Sequence, residues 1–252
     1  MKTVFYKLEC LTNLHVGSGD VNYSIVDNEV EKDPVTGLPM IHASGVKGAL
    51  RDVIQKKDET LANRIFGAPG DKDAGKPGNH KFFDAYLLTR PMRAAGSNSL
   101  ASVSVTTVAA VNQFLASLSA FGCNDFGIDC IDEPDFGENQ FLTNVAGIRV
   151  EGEPTGRLGG AVLEQLEKLA SVLGTQFALV KSFDDYPLPV MARNHLENGI
   201  SKNLWYEEVV PHGSVLYFAV MAPEAEMMEM PEMVQFGGNA SIGCGFTKVV
   251  KL

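Results

Sequence analysis

The sequence has no run of about 18 apolar residues, which removes the ordinary signal of a membrane-spanning helix. Its first residues, MKTVFYKLECLTNL, place Lys7 and Glu9 where a secretory signal peptide needs its apolar stretch. A soluble, cytoplasmic chain is the expectation. Cysteine is scarce. Cys10, Cys123, Cys130 and Cys244 form no CxxC pair, and the spacing of Cys123 and Cys130 matches no common zinc pattern, so reduced structural thiols are expected. There is no GK[ST] phosphate loop and no internal repeat. The composition is otherwise ordinary for a globular protein, with 45% hydrophobic and 21% charged residues over 252 positions. A chain of that length buries roughly 70 to 75% of its unfolded surface, enough for a core without disulfides or a structural metal.

Positive charge is also short. A formal net charge of −10 argues against a polyanionic partner, because phosphate binding is driven by basic surface and counterion release. The distribution of charge along the chain weakens that exclusion. Residues 40–93 hold ten Lys/Arg against six Asp/Glu, whereas residues 1–39 hold three against six and residues 94–252 eight against nineteen. A basic zone in an acidic molecule can still grip a polyanion, leaving the acidic remainder for other subunits or for solvent. Chance clustering of lysines fits the same count.

The hydrophobic pattern gives an interleaved reading of the chain as one domain over 1–252. Residues 3–9 alternate as a strand. A long glycine-bearing loop follows from Gly17 to about His42, with DPVTG and Leu38-Pro39 as turn signals, and its length marks it as functional or mobile, not a mere connector. Ser44 then precedes GVKGALRDVIQKK, where Val46, Leu50, Val53 and Ile54 share a face, so Ser44 is expected to cap a helix. Strands are expected at 82–88, 215–222 and the C-terminal TKVVKL, and helices at 106–120 and 160–173. A Met-rich helical piece is expected between the last two strands. Residues 67–80 and the acidic stretch 122–140 read as surface insertions. Two extended segments joined at Glu197-Asn198-Gly199 read as a hairpin spanning 187–205. The expected class is α+β, with an antiparallel sheet and helices on one face.

Several residues could carry chemistry. A helix start at Ser44 points free amides outward, Ala43, Ser44 and Gly45 leave them approachable, and Lys47 and Arg51 add charge, which suits a phosphate. An ordinary capped helix with two solvated basic residues fits equally. The FGGNASIGCG stretch, with Gly237, Gly238, Gly243 and Gly245, offers a second approachable backbone. Asp27 lies in the long loop beside further acids and could hold a divalent cation, although a solvated turn aspartate looks the same. His15, just before GSG, could move a proton or simply hold structure. Glu207 and Glu208 end the hairpin, and neighbouring strand residues face opposite sides, so only one of them is expected to enter a site. Met227, Met228, Met230 and Met233 read most simply as packing.

Four blocks carry a family resemblance. LHVGSGD (Leu14 to Asp20), Val26-Asp27, DPVTGLPMIHASGVKGALRD (Asp33 to Asp52) and FGGNASIGCG (Phe236 to Gly245) resemble, in order and spacing, the signature blocks of the RAMP superfamily of CRISPR-associated proteins. FFDAYLLTRPMRA and NLWYEEVVP are similar to the backbone subunit of the type III-B (Cmr) effector complex, more than to its type III-A (Csm) relative. The blocks cover both ends and part of the middle of the chain. The resemblance implies an RRM-like, ferredoxin-like fold with a protruding hairpin. It implies several copies stacked along a guide RNA beside other subunits of the complex, and metal-dependent cutting of the paired target RNA. The position matching the family's catalytic aspartate is Asp27, which would also ligate a divalent ion (Mg or Mn); His15 and Glu208 match further site positions. Ser44, Gly45, Lys47 and Arg51 match the guide-binding helix start, and the glycines of 236–245 a second guide contact. His42-Ala43 stands where the family's usual proline-glycine precedes the helix serine.

Within that reading the hairpin wedges between nucleotides, with Met191 as an adaptable apolar wedge and Arg193 beside it. The 2′-hydroxyl of a splayed nucleotide then attacks the adjacent phosphate, an alignment that A-form stacking prevents. Two other classes stay open: a catalytically silent structural subunit of the same fold, and a free-standing guide-RNA-processing ribonuclease that works without metal.

Overall fold

The computed structural model describes residues 1–19, 25–68, 75–96 and 100–252. Asp20 and residues 69–74 of the expected 67–80 insertion lie outside these. Along the chain run β1 (Lys2–Cys10), β2 (Met40–Ile41), α1 (Ala43–Gln55), α2 (Glu59–Phe66), β3 (Lys81–Phe82), β4 (Ala85–Gly96) and β5 (Ser102–Thr106). Next come α3 (Val108–Ala120), β6 (Phe141–Thr143), β7 (Ile148–Val150), β8 (Glu153–Arg157), α4 (Gly160–Leu173) and β9 (Phe177–Val180). The chain ends with β10 (Val190–Glu197), β11 (Ile200–Glu208), β12 (Val215–Ala222), β13 (Met233–Gln235) and β14 (Phe246–Lys251).

The central strands pair in the order β14-β1-β12-β4, antiparallel throughout, with β13 outside β14. β4 is long enough to leave this sheet and start another. Its second half pairs with β5, and the ladder continues β5-β9-β6-β8-β7 and returns to β4 at Ala94–Gly96. Six strands thus close into a small barrel, whose interior holds Met92, Val105, Phe141, Val150, Ala178 and Val180. A closed ladder leaves no edge strand to be covered.

Helices pack on both faces of the central sheet, not on one. Val4, Tyr6 and Leu8 of β1 face Val46, Leu50 and Ile65 of α1 and α2, while Phe5 on the opposite face meets Phe114 and Leu118 of α3 and the Leu166 and Leu169 side of α4. Alternation along β1 makes the side bearing Phe5, Lys7 and Glu9 the more polar one. Lys7 is nevertheless buried, because its ammonium donates to the carbonyl of Leu173 at 2.7 Å and pairs with Glu9 at 2.6 Å. A cation at the last turn of α4 meets the negative end of the helix and satisfies a carbonyl that has no partner within it.

Other expectations are corrected. The cap position of α1 is His42, not Ser44, and Ser44 lies in the first turn. The expected strand at 82–88 is divided between β3 and β4. The Met-rich piece forms one 3-10 turn at Glu224–Glu226 and then extended chain, since Pro223 and Pro231 bracket a segment too short for a helix. The 122–140 stretch exposes its acids but buries Ile128, Ile131 and Phe136 against the α3 and α4 layer, so it is part of the core and not a surface excursion. Among the described residues no helix is long and apolar enough to cross a membrane.

Candidate functional site

The site is built at the root of a two-stranded ribbon. β10 and β11 pair from Val190↔Glu208 to Glu197↔Ile200, so the ribbon spans 190–208 and not 187–205. Asn198 and Gly199 turn it with φ of 52° and 79°, the two positive values that a tight hairpin turn needs. Cross-strand partners share a face. Met191, Arg193, Trp205 and Glu207 therefore lie on one side, and Val190, Ala192, Leu204, Tyr206 and Glu208 on the other.

On the second side, the root holds the loop that carries Asp27. The Tyr206 amide donates to Asp27 Oδ2 at 2.8 Å, and the Asp27 and Asn28 amides donate back to the Tyr206 carbonyl at 3.0 and 3.1 Å. The Glu208 amide donates to the Asn28 carbonyl at 2.9 Å. The Glu208 carboxylate accepts from the Val30 amide at 3.2 Å and from the Lys32 ammonium at 3.1 Å, and the Glu208 carbonyl accepts from His15 Nδ1 at 2.7 Å. That last bond requires a proton on Nδ1, since a carbonyl can only accept. Asp27 is exposed and its Oδ1 has no donor among the described residues. Glu208 and His15 are both buried, with the polar groups of Glu208 engaged by the protein. The arrangement thus presents one open carboxylate oxygen on a loop pinned at its backbone, and places Glu208 and His15 as groups that pin it.

On the first side, Glu207 ties the ribbon to the glycine-rich loop. It is also buried, and it accepts from Trp205 Nε1 at 2.8 Å, Asn239 Nδ2 at 2.8 Å and Arg193 Nη1 at 3.3 Å. The Arg193 guanidinium lies 5.8 Å from the centre of the Trp205 ring. The glycine requirement here comes largely from the protein itself. A Cβ on Gly237 would stand 2.1 Å from the His15 carbonyl, and one on Gly245 would stand 1.9 Å from the Phe236 carbonyl. The Gly238 amide is already bonded to the His15 carbonyl at 2.9 Å. Gly243 is exposed with open space around it. Met191 is half-buried at the root, its sulfur 3.6 Å from Asn13 Nδ2, whereas the exposed apolar side chains of the outer half are Leu196, Ile200 and Leu204, at 58%, 64% and 52%.

The start of α1 differs from its expected role. Asp84 Oδ1 accepts from the Ala43 amide at 2.6 Å, so a protein carboxylate already occupies one amide of the positive helix end. His42 sits between Glu31 at 3.3 Å and Asp84 at 3.9 Å. Ser44, Gly45 and Lys47 are exposed and available. Arg51 is not, because its guanidinium is bonded to the Gly67 carbonyl at 2.9 Å and to Asn63 at 3.1 Å, locking α1 to the end of α2. Behind the Asp27 loop, Asp33 is buried. Burial pushes its carboxyl up, but hydrogen bonds from the Thr36 hydroxyl, the Val35 amide and the Gln113 amide together hold it below the usual range.

Sequence reasoning missed Lys32, Asn239 and the clamping role of Glu207. Their only sequence signal is the pair of adjacent glutamates, which alternation sends to opposite faces; both carboxylates are engaged by donors, each on its own face. Among the described residues no three His, Cys, Asp or Glu side chains cluster as a ready metal cage. Asp27 supplies one carboxylate oxygen, and Glu207 and Glu208 are occupied by donors.

The chain belongs to the RAMP superfamily, whose sequence profile matches residues 7–248. The CRISPR system Cmr endoribonuclease Cmr4 of Pyrococcus furiosus is 27% identical to it, over 99% of this chain and 95% of that one. A type III-B Cmr-beta subunit, in a complex seen by cryo-EM bound to cognate target RNA, superposes with a TM-score of 0.73 at 18% identity, covering 100% of this chain and 97% of that one. Oligomeric Cmr4 from Pyrococcus furiosus superposes with a TM-score of 0.71 at 20% identity, covering 100% and 98%.

Proposed function

We propose that this chain is the repeated, guide-RNA-binding backbone subunit of a type III CRISPR effector complex and that it cuts the paired target RNA. The end-to-end similarity to an endoribonuclease supports the activity, and the fold shared with an oligomeric Cmr4 supports stacking of copies beside other subunits. The observation that carries the site is Asp27, an exposed carboxylate held rigidly by one oxygen. We also read the β14-β1-β12-β4 order as an RRM-like, ferredoxin-like core into which the barrel and the ribbon are inserted. A cytoplasmic location goes with such an assembly.

Cleavage is by internal attack. The ribose 2′-oxygen bonds to the adjacent phosphorus as its proton leaves, the bond to the 5′-oxygen breaks, and that oxygen takes up a proton, giving a cyclic phosphate and a 5′-hydroxyl. The ribbon's outer half splays the nucleotide so that these atoms align, and the pinned loop sets Asp27 Oδ1 against them. Glu208 and His15 act as positioning residues. One open oxygen fits Mg or Mn in the usual manner of such sites, where one or two carboxylates share the ion with phosphate and water; a bound ion would polarise a phosphoryl oxygen. Ser44, Gly45, Lys47 and the exposed glycines Gly237, Gly238 and Gly243 form the guide-facing surface.

The test is assembly of the chain with guide RNA and its partner subunits, followed by cleavage of a labelled target with and without a divalent chelator. Regularly spaced, chelator-sensitive cuts are expected. Binding without cuts would make it a silent structural subunit, and cutting of precursor guide RNA by the isolated chain without metal would make it a processing ribonuclease.

A further inference from the structure

A half-open cavity of about 370 Å³ lies between the 36–39 strap, the start of α3 and the 181–188 segment. Arg90 of β4 lines it, only 5% exposed and with its guanidinium 4.2 Å from the Phe183 ring centre. It donates through Nη2 to the Tyr186 carbonyl, but among the described residues its Nε has no acceptor and no carboxylate lies within ion-pair distance. Burial pushes its pKa down to about 10, against the more distant pull of Glu151 and Glu208. A buried cation left in this state is costly unless an anion completes it.

The other walls favour the same occupant. Thr107 and Ala109 bring the N-terminus of the 13-residue α3 to the cavity. The Thr107 hydroxyl satisfies the Ala110 amide at 3.1 Å, while the first amides, Val108 and Ala109, have no acceptor within the helix. Lys181 stands exposed at the rim and Lys32 forms the wall shared with Glu208. Of the two acids present, Glu208 is already engaged by Lys32 and the Val30 amide, which leaves Asp184 as the opposing charge. Leu38 and Leu188 supply an apolar side.

We propose that this cavity binds the phosphate of a nucleotide between Arg90, Lys181 and the start of α3, with the nucleoside against Leu38 and Leu188. The site does not depend on the cleavage reading. Its test is calorimetric titration of the full chain with 5′-AMP, inorganic phosphate and adenosine. AMP should bind, phosphate should bind more weakly, and adenosine should give no signal. Lys181→Ala, an exposed change that leaves the fold intact, should weaken AMP roughly tenfold, as loss of one charge-assisted bond does, and Lys57→Ala, exposed and outside the cavity wall, should leave it unchanged. Arg90→Gln should abolish binding if that variant folds; Lys181→Ala decides the matter if it does not. Competition with an oligoribonucleotide lacking terminal phosphates separates the sources: displacement of AMP assigns the site to an RNA backbone phosphate, and no displacement assigns it to a free nucleotide. Equal binding of adenosine and AMP, absence of AMP binding, or an unchanged affinity in Lys181→Ala would overturn the proposal.

Discussion

At the root of the β10–β11 ribbon, Glu207 and Glu208 are each held by donors from other parts of the chain, from Asn239 on one side and from Val30, Lys32 and His15 on the other. Beyond Arg193 and Trp205 the ribbon's described bonds are internal, such as Ser201 to Asn194 at 2.8 Å and Lys202 to Glu197 at 3.6 Å, and its apolar side chains face outward. One half is specified by the fold, and the other is left for something outside the chain. Under the proposed function the difference separates two jobs: the root sets the position of Asp27, and the outer half would act on the RNA.

The largest effect expected from breaking this division comes from the outer half. Replacing residues 195–203 by a two-residue turn should lower target cleavage by at least about 100-fold through lost alignment. It should change unfolding free energy by no more than about 0.5 kcal/mol, as exposed changes do. A urea titration and a single-turnover assay on the same variant check both halves, and a collapse of stability would show that the outer ribbon belongs to the core after all.

A smaller effect is expected at the root. Glu208→Gln keeps the shape but removes the charge that Lys32 meets, and should slow cleavage by roughly tenfold with target affinity unchanged. Lys32→Met should act in the same direction, and the double variant should be no slower than the slower single one, because both changes release the same loop. Additive losses would mean that Glu208 touches the reaction directly.

The smallest effect separates two basic residues on one helix. Lys47→Ala should lower the slope of log guide affinity against log salt by about 0.7, the value for one phosphate contact on a single strand. Arg51→Ala should leave that slope alone and reduce stability, since Arg51 is bonded to Gly67 and Asn63. Filter binding across a salt series distinguishes them.

Sequence periodicity is a good guide where an element is long and packs on one face. The helix expected at 160–173 and the strand expected at 215–222 match α4 and β12 residue for residue. It fails for α2, eight residues long, and for β5 to β9, three to five residues each, whose pairing joins distant parts of the chain and leaves no local period. Burial of both sheet faces is hidden because Lys7 reads as polar, and only the end of α4 explains its place in the core. At the site, the glycine-rich loop and Asp27 are visible as motifs. The clamps are not, because a backbone amide such as that of Val30 leaves no mark in a sequence.

Asp27 is the residue on which the proposed cleavage turns. Single-turnover cleavage of a labelled target by complexes carrying Asp27→Ala, with guide and target occupancy measured on the same samples, tests that role most directly. Full occupancy with cleavage lost is the predicted result; cuts at the wild-type positions and rate would contradict it.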